Sequence, residues 1–154
     1  MTLTIGVDIG GTKVAAGVVD EAGRVLVDTR RPTPADDAAQ TRAVVVEVVA
    51  ELAAAYPVEA VGIGAAGWVA DRSVVRFAPN LAWRDEPLRA HVADACGLPV
   101  VVENDANVAA WAEFRYGAGR GAGDSMVLVT VGTGIGGGIV LAGGLVRGAH
   151  GVAA

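Results

Sequence analysis

Three short segments hold the residues able to do chemistry. The first is Asp8-Ile9-Gly10-Gly11-Thr12-Lys13, a turn between two apolar runs. Paired glycines let the backbone approach an anion closely, and successive N–H groups form a nest for phosphate. Asp8 is a carboxylate at a strand end, suited to magnesium held through water, because magnesium keeps much of its hydration shell. Lys13 is the only lysine in an arginine-biased chain. A tight hairpin with a solvated Asp and Lys is the bland alternative. The second segment is Thr130-Val131-Gly132-Thr133-Gly134-Ile135-Gly136-Gly137-Gly138. No Gly-Lys-Ser/Thr follows, so it is not a Walker A loop. A strand pattern rather than a helix comes after it, so it fits a dinucleotide fingerprint poorly. Two glycine turns carry more weight than one, since a phosphate chain held between two lobes needs a loop from each.

The third segment is Glu103-Asn104-Asp105-Ala106-Asn107. Asp105 stands at a strand end near a helix N-terminus, where the helix dipole favours its ionised form. Asn104 offers a donor and an acceptor to a sugar hydroxyl. Either residue is equally suited to be only the helix N-cap. Asn80 and Trp83, in Pro79-Asn80-Leu81-Ala82-Trp83, are candidates to bind and wall a sugar, or belong to a packed loop. Gly67 gives close backbone approach to a ligand, or only a turn. His91 falls on a helix surface, His150 has no partner ligands nearby in sequence, and Cys96 reads as a small apolar filler.

The elements that must position these residues follow from periodicity and turn signals. Residues 2–9, 13–20 and 24–29 read as three strands joined by glycine turns, hence antiparallel hairpins. A helix capped by Asp36 or Asp37 runs to about Tyr56, with Val45, Val48, Val49, Leu52 and Tyr56 on its apolar face. Residues 58–66 form an apolar strand, as expected for one buried on both faces. A loop spans 67–79 and continues to a helix over 86–95, which Gly97 ends. Residues 100–102 form a short strand and a helix runs to about Tyr116. The order β-β-β-α-β-α-β-α predicts an α/β lobe with a mixed sheet, occupying residues 1–116. Residues 117–123, Gly-Ala-Gly-Arg-Gly-Ala-Gly, read as a linker. Residues 124–154 restart the strand–glycine turn–strand layout, with strands over 126–131, 138–141 and 145–147. Val127, Val129, Val131, Ile139 and Leu141 of this hairpin would leave at least one face apolar and bare.

The chain has 154 residues, 53% hydrophobic and 19% charged. That excludes general disorder, which needs few apolar residues and much charge. A net charge of -5 argues against a nucleic-acid backbone binder. One cysteine excludes a disulfide framework and a cysteine-rich zinc site within these residues, and a reducing cytoplasm is expected. Gly, Asp or Arg interrupts every apolar stretch before the roughly 20 residues a membrane span needs.

Together these segments resemble the ROK family of bacterial sugar kinases and regulators. Asp8 to Lys13 is similar to its first phosphate motif, Gly132 to Gly138 to its second, residues 103–107 to its sugar and catalytic motif, and Pro79-Asn80-Leu81 with Trp83 to the sugar loop of its glucokinases. The resemblance implies an actin-like, ribonuclease H-like ATPase fold with the opening hairpin of a second lobe. It implies ATP and Mg2+ in a cleft and phosphoryl transfer to the 6-hydroxyl of glucose. By carry-over, Asp105 is the catalytic base, Gly67, Asn80, Asn104 and Asp105 contact sugar, and Asp8, Gly10, Gly11, Thr12, Lys13, Gly132, Thr133 and Gly134 surround ATP, with Asp8 toward magnesium. The family's Glu-x-Gly-His motif and zinc-binding cysteines are not among these residues, so an N-terminal portion inactive alone is expected, with structural Zn2+ only in the remaining half. A dimer or tetramer is implied for the full protein. A family repressor would carry a helix-turn-helix ahead of the first strand, which begins here beside Met1. A non-catalytic sugar-binding fragment is the other alternative.

Overall fold

The computed structural model describes residues 1–132 and 134–153. Elements run β1 (Leu3–Ile9), β2 (Lys13–Asp20), β3 (Val25–Pro32), α1 (Ala38–Ala55), β4 (Val58–Ala65), β5 (Trp68–Ala70), β6 (Val74–Phe77), β7 (Arg84–Glu86), α2 (Leu88–Cys96), β8 (Val100–Asn104), α3 (Asp105–Tyr116), β9 (Met126–Val131), β10 (Ile135–Leu141) and β11 (Gly144–Val146). The main sheet has the order β3-β2-β1-β4-β8. β1, β2 and β3 pair antiparallel, whereas β1, β4 and β8 pair parallel, so the sheet is mixed.

Alternation along β1 places Leu3, Ile5, Val7 and Ile9 in the core and turns Thr4, Gly6 and Asp8 to the other face. α1 and α2 cover the core face. Asp37 caps α1 by accepting from the backbone N–H groups of Ala39 and Gln40, and Val45, Val48, Val49 and Leu52 are buried as their spacing demands. Tyr56 ends α1 in extended backbone, as a residue before proline prefers. Gly97 closes α2 at φ 69, a left-handed turn that glycine adopts without a Cβ penalty.

Three expectations need correction. Residues 67–86 are not a plain loop but hold the three-stranded sheet β5-β6-β7, so the order is β-β-β-α-β-β-β-β-α-β-α before β9. Its strands span 3 to 4 residues, too few to show alternation. Asp71 and Arg72 make its first turn at φ 51 and 52, without the glycine that signals such a turn. β3 continues past Thr29 to Pro32, tolerated because an edge strand need not supply that N–H. β10 starts at Ile135 rather than 138, because its glycines pack on α3: a Cβ at Gly138 would lie 2.3 Å from Ala110 Cβ. β9, β10 and β11 thus form a second sheet laid on α3. Its other face carries Val127, Val129 and Val131, exposed by 67%, 64% and 80%, as the apolar alternation required.

Candidate active site

Register brings the candidate residues together. Asp8 of β1 pairs with Gly64 of β4, which pairs with Glu103 of β8; one step on, Ile9, Ala65 and Asn104 align. The three parallel strands therefore end on one line. The residues just beyond them, Gly10, Gly67 and Asp105, share a rim at the carboxyl ends of the strands, where open α/β sheets bind ligands.

The first glycine turn is braced from outside itself. Gly10 N–H donates to Lys13 O at 3.0 Å, and Thr33 binds the turn twice, its hydroxyl to Gly10 O at 2.9 Å and its N–H to Thr12 O at 3.1 Å. Gly10 N–H is thereby committed to the hairpin. Gly11 sits against Asn80, where a Cβ would come within 2.7 Å of Asn80 Cβ. That contact carries Asn80, 69 residues on in sequence, to the first glycine turn. Thr12, Lys13 and Asn80 are exposed.

The structure settles which residue caps α3. Asn104 Oδ1 accepts from Asn107 N–H at 3.1 Å and its Nδ2 donates to Gly67 O at 2.9 Å. Asp105 Oδ1 accepts only from its neighbour Ala106 N–H, at 2.9 Å. Asn104 is the cap, and half-buried Asp105 presents its carboxylate at the rim. An amide has two acceptor sites and two hydrogens, so Asn104 keeps one of each for a ligand. Gly67 has a steric reason to be glycine, since a Cβ would meet Phe77 O at 2.3 Å. Its carbonyl aims Asn104.

Burial raises the carboxyl pKa of Asp8 above its ordinary value; the Asp105 carboxylate raises it further, and Lys13 opposes both. Asp8 and Asp105 thus face each other electrostatically across the rim. The second turn lies at the same end. Gly136, just after it, sits against Ala106, with a would-be Cβ 3.0 Å from Ala106 Cβ. Gly132 N–H donates to Gly134 O at 2.9 Å, and both glycines are exposed; Thr133 lies outside the described residues.

Trp83 does not wall a sugar site. It is fully buried and its Nε1 donates to Ala38 O at 3.0 Å, because its ring fills the core under α1. His91 is no plain surface residue; its ring contacts Glu86 Oε1 at 2.7 Å. Sequence reasoning missed Glu103 and Arg147 as a pair. Buried Glu103 accepts from Asn104 N–H at 3.0 Å, from Asn107 Nδ2 at 3.2 Å and from Arg147 Nε. A glutamate ending a buried strand was the available signal for one partner; nothing local marks Arg147. Beside this pair opens a cavity of about 880 Å3 that Trp68, Arg72, Arg76, Glu103, Arg147 and His150 help to line. Among the described residues no group of three His, Cys, Asp or Glu gathers to hold a metal.

The sequence pattern of the ROK family matches residues 4–154. The chain belongs to the ROK family. It is 53% identical to the glucokinase of Streptomyces coelicolor, over 100% of this chain and 48% of that protein. It is 39% identical to the glucokinase of Thermotoga maritima, over 97% of this chain and 48% of that protein. The crystal structure of a ROK family glucokinase from Streptomyces griseus in complex with glucose and AMPPNP superposes with a TM-score of 0.91 at 56% identity, over 99% of this chain and 48% of that one. The α/β fold with a mixed sheet is thus that of ROK sugar kinases. The chain spans about half the length of the curated relatives it matches. No helix among the described residues is long and apolar enough to cross a membrane.

Proposed function

We propose that the protein containing this chain is a glucokinase, transferring the γ-phosphoryl group of ATP to the 6-hydroxyl of glucose. The observation that carries this reading is that Asn104, not Asp105, caps α3, which leaves the Asp105 carboxylate at the strand rim with a single bond to the Ala106 N–H. Asp105 accepts the proton of the sugar hydroxyl as general base. Asn104 uses its spare donor and acceptor to hold a neighbouring hydroxyl, Gly67 aims Asn104, and Asn80 reaches the sugar from beside the first turn. Gly10, Gly11, Thr12 and Lys13 flank the phosphates from one side, and Gly132, Thr133 and Gly134 from the other.

A divalent cation fits here. Asp8 and Asp105 repel each other, with only Lys13 opposing that repulsion, and magnesium needs just one or two protein carboxylates beside phosphate oxygens. Asp8 would hold it through water. Bound magnesium supplies charge neutralisation for phosphoryl transfer, whose demands are mainly positioning and electrostatics. Structural zinc, implied by the resemblance to the family, is assigned to the remaining half of the protein. We read residues 1–116 as the N-terminal lobe, 117–123 as the linker and 124–154 as the opening of a second lobe, in a cytoplasmic homodimer or homotetramer.

The test joins this chain to the second half of the Streptomyces coelicolor glucokinase and measures glucose-dependent ATP turnover. Asp105→Asn should lower kcat at least about 100-fold, the usual scale of a lost general base, and leave the melting temperature nearly unchanged. Near-wild-type kcat would refute the role of Asp105. The 154-residue chain alone should show no turnover.

A further inference from the structure

The segment that carries Asn80 connects β6 to β7, and the two residues flanking it face each other. Phe77, the last residue of β6, pairs with Arg84, the first of β7. Directly opposed side chains of an antiparallel pair stand on one face of the sheet. The Arg84 guanidinium accordingly lies over the Phe77 ring, 4.3 Å from its centroid. Its Nη1 reaches into the loop over residues 78–83. It donates to Trp83 O at 2.6 Å and to Leu81 O at 3.2 Å, with Ala78 O beside them at 3.5 Å.

Neighbouring carboxylates are engaged elsewhere. Asp85 pairs with Arg76 at 2.8 Å and Glu86 with Arg42 at 3.3 Å, and among the described residues Arg84 forms no ion pair. Ordering a long side chain costs conformational entropy, so an exposed arginine held on three carbonyls and a ring has a local reason. That reason is the backbone of the loop, whose carbonyls need donors. Ala78-Pro79-Asn80-Leu81 is a β-turn, closed by Leu81 N–H to Ala78 O at 3.3 Å, with proline at its second position. Ala78, Leu81 and Trp83 are buried, whereas Asn80 at the third position of the turn is exposed and packs on Gly11. One further bond holds the loop from outside, Ala82 N–H to Ala35 O at 2.8 Å.

We propose that Arg84 is the positioning residue of the Asn80 turn: its guanidinium, stacked on Phe77, gathers the loop carbonyls and so holds Asn80 beside the first glycine turn, where it meets the sugar. A guanidinium serves both ends because it is flat. Its face meets the ring while its N–H groups point along the plane to the carbonyls. An ammonium is a compact point charge without a face, so lysine serves the ring or the carbonyls but not both. The meeting with sugar rests on the glucokinase reading; the holding of the turn does not.

Amide hydrogen exchange reads the turn directly, in the 154-residue chain and in the chimera with the second half of the Streptomyces coelicolor glucokinase. Arg84→Lys should speed exchange at Leu81 and Ala82 at least about 10-fold, as a locally opened segment does, and leave the main sheet unchanged. Phe77→Leu, which keeps an apolar side chain but removes the ring face, should act in the same direction and less strongly. Arg76→Lys, on the same small sheet but bonded to Asp85, should leave both amides as in the parent. In the chimera Arg84→Lys should raise KM for glucose roughly 5- to 10-fold, the scale of one lost hydrogen bond. KM for ATP should stay within about twofold, because Thr33 still holds the first glycine turn. Parent-like exchange at Leu81 and Ala82 in Arg84→Lys overturns the proposal. So does faster exchange spread over the main sheet, which would make Arg84 a general contributor to stability. An unchanged KM for glucose, or equal rises in both KM values, overturns it as well. Asp105→Asn keeps the two readings apart: it should lower kcat and leave exchange at Leu81 and Ala82 as in the parent. A folded chimera that phosphorylates no glucose sinks the kinase reading, and exchange still decides whether Arg84 holds the turn.

Discussion

The turn at Gly10-Gly11 and the turn at Gly132-Thr133-Gly134 have the same local grammar, two strands joined through glycines with a threonine, but different support. Thr33 binds the first turn through both its hydroxyl and its N–H, and Asn80 packs against Gly11. Behind it stand a five-stranded sheet and two helices. Around Gly132 and Gly134 a Cβ would meet nothing within 4 Å. The sheet behind that turn has three strands and is covered on one face by α3. It places a single aliphatic side chain, Val140, fully in the interior. The two glycine turns therefore differ in how much of the structure braces them. The first turn is built by this chain, whereas the second has only α3 to lean on.

The largest expected effect breaks that remaining support. Gly138→Val would drive a side chain into Ala110, 2.3 Å from where its Cβ must go. Overpacking of this kind costs about 1–3 kcal/mol or more, and the clash with a helix places it at the upper end. Hydrogen exchange should show residues 126–146 losing protection while the main sheet keeps it. Loss of protection across the whole chain would mean the two sheets unfold as one unit and the contrast is wrong.

A smaller effect sharpens the comparison between the turns themselves. Gly11→Ala meets Asn80 Cβ at 2.7 Å and Asn80 O at 3.1 Å, and should cost about 1–2 kcal/mol in denaturant unfolding. Gly132→Ala enters open space and should stay within about 0.5 kcal/mol of the parent. Equal costs would show that the second turn is as tightly held as the first.

The smallest effect concerns two carboxylates of opposite tendency on the supported side. Burial and Asp105 raise the pKa of Asp8. Its favourable contribution is present only in acid and is lost as pH rises through its raised value, so ionised Asp8 weakens the fold at neutral pH. In magnesium-free buffer Asp8→Asn should melt higher than the parent near neutrality, with the gap closing in acid. Asp20 behaves the other way. The N–H of Arg24, opposed by desolvation and aided by the Arg24 side chain and the Ala22 N–H, lowers its pKa below 3.8. Its contribution is present above that ordinary value and lost as pH falls through the lowered one. Asp20→Asn should melt lower near neutrality and show a flatter acid limb. Matching shifts in both variants would remove the distinction.

Much of the lobe was legible because it is local. Alternation along residues 3–9 and the 3.6-residue spacing of Val45, Val48, Val49 and Leu52 report burial from the sequence itself. The strand-to-helix junction at Asn104 and Asp105 needed only its neighbours to be recognised. So did both glycine turns as turns, since glycines between two strand patterns signal a hairpin. What the sequence could not decide was which of two adequate side chains caps α3. That depended on Gly67, brought in by the register of β4 against β8. Asn80 meets Gly11, Arg147 meets Glu103 and Trp83 goes to the core for the same kind of reason. These are contacts between segments whose separation in sequence carries no periodic signal, and they exist only once strand order and register are set. Composition and spacing determined which chemistry was available to this chain; the alignment of three strand ends decided which residues stand together to use it.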